Sequence, residues 1–130
     1  MIGKTKVLVV DDEAAYTRLL KLNLERSGRY EVEIVNQSRR TIPAAHEFRP
    51  DVILLDIVMP GIDGGDVQAK LAEDVLLRGT PVIFVTALVS DHEVSENGIV
   101  NSGGRIMLPK PVNLDKLEAT IGQVIKGALA

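Results

Sequence analysis

Short apolar runs alternate with segments of helical periodicity along the sequence, and this alternation restricts the fold more than any other feature. Strands that are buried on both faces of a parallel sheet consist of such apolar runs, without polar alternation. Five strands are predicted, at residues 6–10, 31–35, 52–56, 82–85 and 105–108. Five helices alternating with these strands, through right-handed crossovers, predict a three-layer α/β/α sandwich.

Two of the intervening helices are predicted from their apolar periodicity and from the glycine that follows each of them. They cover residues 13–27, before Gly28, and residues 65–78, before Gly79. The apolar residues that periodicity places on one face are Ala15, Leu19 and Leu22 in the first helix, and Val67, Leu71, Val75 and Leu76 in the second. We expect these faces to pack against the sheet.

The other helices are predicted from their boundaries. Pro43 is tolerated only in the first turn of a helix, so the second helix should be short or kinked and begin at about Thr41. The segment 90–100 should form a fourth helix, although Gly98 weakens it. The final helix should begin after Asn113, because asparagine is a favoured N-cap residue.

Composition excludes several classes of function. The chain has 130 residues, which we interpret as one domain covering residues 1–130, and it contains no cysteine for a disulfide or a thiolate site. Its net charge of −3 argues against contact with nucleic acid. No apolar stretch approaches the roughly 18 residues of a membrane span, so we expect a cytoplasmic protein that does not contact membranes.

Polar residues follow four of the predicted strands. Asp11 and Asp12 follow the first strand and Asp56 ends the third, whereas Thr86 ends the fourth and Lys110 follows the fifth. In an open parallel sheet, ligands bind outside the carboxyl ends of the strands. These five side chains should therefore meet at one edge of the sheet.

The residue types at this edge indicate a particular chemistry. Three neighbouring carboxylates repel one another unless a cation neutralises them, and an all-oxygen cluster suits a hard divalent ion, Mg²⁺ or Mn²⁺. A hydroxyl donor and an ammonium group beside them could bind the oxygens of a phosphoryl group during its transfer to a carboxylate. The alternative for Asp11 and Asp12 is simple capping of the first helix.

Four motifs occur in order: "VVDDE", "LLDIVMPGIDG", "VTA" and "LPKP". Together they resemble the receiver domain of two-component response regulators, over the full length of the chain. The resemblance implies a flavodoxin-like (βα)₅ fold with the sheet order 2-1-3-4-5. It also implies that Asp56 is the phosphoacceptor, and that Asp11, Asp12 and Asp56 hold Mg²⁺ together with the main-chain carbonyl of Val58.

The resemblance assigns roles to the other polar positions as well. Thr86 matches the switch hydroxyl, Ala87 the small residue beside it, and Lys110 the phosphate-binding lysine, whose peptide bond to Pro111 is cis in the family. One position departs from the family pattern. Met107 stands where receivers usually carry the tyrosine or phenylalanine that moves inward on phosphorylation.

The predicted function is that of a phosphoacceptor switch. A sensor histidine kinase, a histidine phosphotransfer protein or a small phosphodonor would phosphorylate Asp56, and the new conformation would bind a downstream protein through the face of helix four, strand five and helix five. The chain would catalyse only its own modification and would not be an enzyme. A phosphorylation-independent interaction module is the main alternative, and a Mg²⁺-dependent phosphatase with an aspartyl nucleophile is a third.

Overall fold

The computed structural model describes residues 3–56, 64–87 and 106–126. Within these ranges, five parallel strands form one sheet in the spatial order β2-β1-β3-β4-β5. The strands are β1 (Thr5–Val10), β2 (Tyr30–Val35), β3 (Val52–Leu55), β4 (Val82–Thr86) and β5 (Ile106–Pro109). The predicted strands and the predicted order are confirmed, and each strand end lies within one residue of its predicted position.

Helices cover both faces of the sheet. In the described ranges these are α1 (Ala14–Glu25), α2 (Thr41–Phe48), α3 (Gly64–Glu73) and α4 (Leu114–Ile125). Buried residues of α1 and α4 belong to one apolar cluster with one face of the sheet, and those of α2 and α3 to a second cluster with the other face. This arrangement is the predicted three-layer sandwich. No described helix is long and apolar enough to cross a membrane.

The centre of the sheet explains why its strands are apolar runs. All four residues of β3 are buried, because β3 lies between β1 and β4 and both of its faces are covered by helices. Complete burial of each such aliphatic side chain contributes about 1.5–3 kcal/mol to folding. The strand cannot accept polar residues until it ends, and its end is where Asp56 lies.

Helix α1 turns a different face to the core from the one predicted. Its buried residues are Thr17, Leu20 and Leu24, whereas Leu19 and Leu22 are 57% and 60% exposed. Both faces of α1 carry leucines, so apolar periodicity alone could not decide between them. The hydrogen bonds of Thr17 favour the face that is buried. Its hydroxyl donates to the Ala14 carbonyl and accepts a hydrogen bond from Asn36, so this polar side chain can be buried without losing its hydrogen bonds.

Helix α3 is shorter than predicted, and the prediction for Val75 and Leu76 was wrong. The helix ends at Glu73, and Val75 and Leu76 are 75% and 54% exposed. Asp74 ends the helix because its carboxylate accepts a hydrogen bond from the main-chain nitrogen of Leu76 at 2.9 Å and contacts His46 Nε2 at 2.6 Å. Val67 and Leu71 are buried as expected.

The other helix boundaries agree with the sequence analysis. Helix α2 begins at Thr41 after a short 3₁₀ turn, so Pro43 lies in its first turn. The side chain of Asn113 caps α4 by accepting a hydrogen bond from the main-chain nitrogen of Lys116 at 3.0 Å. The helix predicted at residues 90–100 lies outside the described residues.

Candidate functional site

Two buried carboxylates follow the central strands β1 and β3. Asp11 and Asp56 are 2% and 7% exposed. The main-chain nitrogen of Asp56 donates to the Val10 carbonyl and that of Asp11 donates to the Val35 carbonyl, each at 3.0 Å, so both residues extend the ladder of the sheet. These bonds fix both carboxylates at the same edge of the sheet, as predicted from the strand order.

A third carboxylate completes an acidic cluster. Asp12 is exposed, and its carboxylate lies with those of Asp11 and Asp56 such that one oxygen from each falls within 4.8 Å of the others. Three carboxylate oxygens at this separation are the donor set that hard divalent cations prefer. The cluster, defined here as Asp11, Asp12 and Asp56, could therefore hold a metal ion.

An ammonium group enters the cluster from β5. Lys110 directly follows this strand, and its peptide bond to Pro111 is cis, as the family resemblance implies. The Nζ atom of Lys110 lies 2.7 Å from Asp11 Oδ2 and 3.4 Å from Asp56 Oδ2, and the side chain is only 11% exposed. Lys110 thus compensates part of the negative charge of the two buried acids.

Burial and ion pairing act against each other on both partners. Burial raises the pKa of Asp11 above its ordinary value, although the hydrogen bond from Lys110 opposes that change. Burial alone would lower the pKa of Lys110, but the hydrogen bonds to Asp11 and Glu13 outweigh it and raise that pKa. Lys110 is therefore charged at neutral pH, and its hydrogen bond favours the ionised form of Asp11 against the effect of burial.

The remaining predicted positions are only partly described. Thr86 is the last residue of β4 and pairs with Pro109, the last residue of β5, so its main chain lies at the carboxyl edge of the sheet. Lys110 directly follows this pairing partner. Ala87 follows and is exposed. The side chain of Thr86 and all of Val58 lie outside what the structure describes. Met107 is buried in the apolar cluster of the α2 and α3 face.

Three residues at the site were missed by the sequence analysis. The Glu13 carboxylate contacts Lys110 Nζ, and the Tyr16 ring centroid lies 4.8 Å from the same nitrogen. Asn36 follows β2, and its amide nitrogen donates to the Asp11 carbonyl at 2.8 Å and to the Thr17 hydroxyl at 3.1 Å. Asn36 could have been found by the rule that identified the aspartates, because it too follows a strand at the carboxyl edge.

The geometry supports two kinds of chemistry at one place. The carboxylate cluster can bind a hard cation, and the ammonium of Lys110 can bind an anion that approaches Asp56. Exposed Asp12 and buried Asp56 together leave one side of the cluster open to solvent and the other enclosed by strand ends. A group bearing negatively charged oxygens could thus reach the Asp56 carboxylate with a cation on either side of it.

Sequence comparisons identify relatives of this chain. PilH of Pseudomonas aeruginosa is 34% identical over 122 residues, which are 94% of this chain and 98% of PilH. The response regulator PleD of Caulobacter vibrioides is 37% identical over 108 residues, which are 83% of this chain but only 23% of PleD. The chain therefore spans nearly all of one relative and about a quarter of the other.

A comparison with solved structures finds the same fold in a chemotaxis protein. The chemotaxis protein CheY4 of Vibrio cholerae superimposes with a TM-score of 0.77 at 29% identity, covering 94% of this chain and 99% of that one. The sequence model of the family described as "Response regulator receiver domain" matches residues 7–122. The chain therefore belongs to the response regulator receiver domain family, and it is a signal-transduction domain of that family.

Proposed function

We propose that Asp56 accepts a phosphoryl group and that this modification switches the domain between two binding states. The observation that carries the proposal is the position of Asp56: a 7% exposed carboxylate at the end of a central strand, with the Lys110 ammonium 3.4 Å away and two further carboxylates beside it. An acid placed there only for folding would gain nothing from two acidic neighbours.

The proposed cofactor is Mg²⁺, held by Asp11, Asp12 and Asp56, with the main-chain carbonyl of Val58 as a further ligand; Mn²⁺ would suit the same donors. The fit rests on the donor set, which consists of carboxylate oxygens within 4.8 Å of one another. A bound divalent ion would neutralise charge that develops on the transferred oxygens. Lys110 would bind another phosphoryl oxygen, and the Thr86 hydroxyl a third.

The transfer is a displacement at phosphorus. A carboxylate oxygen of Asp56 forms a bond to the phosphorus of phosphohistidine or of acetyl phosphate, while the P–N or P–O bond of the donor breaks. Its electron pair leaves with the imidazole nitrogen or with the acetate oxygen. Hydrolysis returns Asp56 to the free carboxylate. A water oxygen bonds to phosphorus, the aspartyl carboxylate departs with the electron pair of the broken P–O bond, and the proton of water passes to inorganic phosphate or solvent. The domain catalyses only these steps on itself.

The proposed partners follow from this chemistry. The donor is a sensor histidine kinase, a histidine phosphotransfer protein or a small acyl phosphate. A downstream protein would recognise the face formed by the predicted fourth helix, β5 and α4. We assign residues 1–130 to one receiver unit. We place this unit in the cytoplasm, where histidine kinases have access to ATP and where proteins do not depend on disulfides.

Intact mass spectrometry after incubation with acetyl phosphate and Mg²⁺ tests the proposal. We expect one phosphoryl adduct in the unchanged protein and none in Asp56→Asn, because only a carboxylate oxygen forms the acyl phosphate. Asp51→Asn is the matched control, since Asp51 is exposed and, among the described residues, its carboxylate accepts a hydrogen bond only from the main-chain nitrogen of Lys6. An undiminished adduct in Asp56→Asn would show that another residue is the acceptor.

The same experiment separates the alternatives. A phosphorylation-independent interaction module would give no adduct in any variant. A phosphatase would instead release phosphate from varied phosphomonoesters without accumulating a stable adduct. The enclosed arrangement of Asp11, Asp56 and Lys110 favours the switch over the phosphorylation-independent module, because it provides a cation and an acceptor at one point.

A further inference from the structure

Glu13 is at the N-cap of α1, but its side chain does not cap the helix. No hydrogen bond joins its carboxylate to the first turn, whereas an aspartate or asparagine at this position ordinarily accepts one from a main-chain nitrogen. The carboxylate contacts Lys110 Nζ instead, from a side chain that is 62% exposed. Its main-chain nitrogen donates to Asp11 Oδ1 at 2.9 Å, which ties Glu13 to the acidic cluster a second time.

Lys110 is consequently shared between an inner and an outer set of groups. The inner set is Asp11 and Asp56 at the strand ends, at 2.7 and 3.4 Å from Nζ. The outer set is Glu13 and the Tyr16 ring, both on or just before the first turn of α1. An ammonium group with two sets of partners can move from one set to the other and still be paired with a carboxylate.

We propose that Glu13 is a positioning residue that holds Lys110 at the outer side of the site. It provides a counter-ion for the ammonium when a divalent cation takes over Asp11 and Asp56, and it competes with phosphoryl oxygens for the same ammonium. The first effect depends only on a cation site at the cluster. The second rests on the proposed function, because it requires a phosphodonor at Asp56.

The two effects predict changes of opposite sign in Glu13→Gln. Without the outer carboxylate, Lys110 remains on Asp11 and Asp56, and one negative charge near the cluster is lost, so divalent cations should bind more weakly. At saturating Mg²⁺, however, a dianionic donor no longer meets the Glu13 carboxylate beside Lys110. The donor should therefore bind more tightly and phosphorylate Asp56 faster at low concentration.

The experiment compares the unchanged protein with Glu13→Gln, Glu13→Asp and Glu47→Gln. Glu47 is an exposed acid on α2 whose carboxylate makes no hydrogen bond or ion pair with any residue the structure describes, so Glu47→Gln controls for net charge. Mg²⁺ affinity is measured by calorimetry and by the Mg²⁺ dependence of thermal unfolding. The KM for acetyl phosphate is measured by intact mass, with Mg²⁺ saturating for each variant.

In Glu13→Gln we expect the Kd for Mg²⁺ to rise and the KM for acetyl phosphate to fall, each by roughly two- to fivefold, the range of one partly exposed ion pair. Both differences should shrink at high ionic strength, which screens them. Glu13→Asp, with a shorter carboxylate, should lie between Glu13→Gln and the unchanged protein, and Glu47→Gln should match the unchanged protein.

Two results would overturn the proposal. An unchanged Mg²⁺ affinity in Glu13→Gln would show that Glu13 does not share Lys110 with the cluster. A KM that rises together with the Mg²⁺ Kd would show a general loss of site structure and not a release of Lys110. If the unchanged protein forms no adduct, the proposed function is wrong, and the Mg²⁺ measurements alone then decide whether Glu13 acts on the cluster.

Discussion

Lys110 acts in this structure as the counter-ion of two buried acids. Its ion pair with Asp11 at 2.7 Å is enclosed, with the two side chains 11% and 3% exposed. Removing one partner of such a pair leaves the other charge buried without compensation, which destabilises a protein more than the pair itself stabilises it. The lysine therefore contributes to folding as well as to the proposed chemistry.

We predict that Lys110→Met lowers the free energy of unfolding of the metal-free protein by about 1–3 kcal/mol at neutral pH. Urea unfolding in the presence of a chelator measures this change. Lys70→Met is the matched control, because Lys70 is exposed on α3 and its ammonium group makes no hydrogen bond or ion pair with a described residue. Equal stabilities of the two variants would contradict the counter-ion role.

The pH dependence of this difference has a definite sign. The pKa of Asp11 is raised in the folded protein, so acid protonates Asp11 there before it protonates the unfolded chain. In Lys110→Met that proton removes the unpaired charge of Asp11. The loss in free energy of unfolding caused by the substitution should therefore become smaller as the pH falls towards about 4. The pKa of Lys110 is raised as well, so in the unchanged protein its stabilising effect is fully present below about pH 10 and is lost only at higher pH.

Helix α1 provides a test of burial at the scale of one element. Leu20 is 5% exposed and Leu19 is 57% exposed, although they are neighbours of the same type. We predict that Leu20→Ala lowers the free energy of unfolding by about 2–4 kcal/mol, because it leaves a cavity under the helix. Leu19→Ala should change it by less than about 0.5 kcal/mol. Similar losses in urea unfolding would mean that α1 is rotated relative to the structure.

The N-cap of α4 is a second test at this scale. Asn113 accepts the hydrogen bond from the Lys116 nitrogen, so Asn113→Ala should cost about 1 kcal/mol of stability, whereas Asn113→Asp should keep it. Urea unfolding midpoints of the three proteins measure this difference. A loss of the same size in Asn113→Asp would show that the stabilisation by Asn113 does not come from this accepted hydrogen bond.

These elements also show what the sequence could and could not predict. Strands and caps were predictable because each depends on local chemistry: apolar runs between helices, and Asn113 before a helix. The buried face of α1 was not, because leucines occupy two faces and the choice depends on the contact of Thr17 with Asn36, 19 residues away. The end of α3 depends on Asp74 and His46, which only the folded chain brings together.

At the scale of the whole molecule, the parallel topology assembles the site. Asp11, Asp56 and Lys110 are separated by up to 99 residues in sequence, yet they follow β1, β3 and β5 at one edge of one sheet. The strand order predicted that the five polar residues would lie near this edge. It did not predict that Lys110 would pair with Asp11 and with Glu13, because both contacts depend on side-chain packing.

Lys110 pairs with two carboxylates of the acidic cluster, and a bound Mg²⁺ would share those carboxylates with it, which gives the last prediction. Mg²⁺ should stabilise the folded protein by mass action, by about 2.7 kcal/mol at a concentration 100 times its Kd, because the unfolded chain separates the acids. Asp12 is exposed and has no hydrogen bond or ion pair with a described residue. Asp12→Asn should thus leave the metal-free protein within about 0.5 kcal/mol of the unchanged protein.

The same substitution should remove most of the stabilisation by Mg²⁺, since Asp12 is the one cluster carboxylate that Lys110 does not neutralise. Thermal unfolding with increasing Mg²⁺ measures this, with Glu31→Gln as a control for an exposed acid on the distant strand edge. If Asp12→Asn and Glu31→Gln respond to Mg²⁺ alike, the ion binds elsewhere. If Asp12→Asn instead loses stability without metal, Asp12 has a structural role that its exposure conceals, and the loss of the Mg²⁺ response cannot then be assigned to ligation.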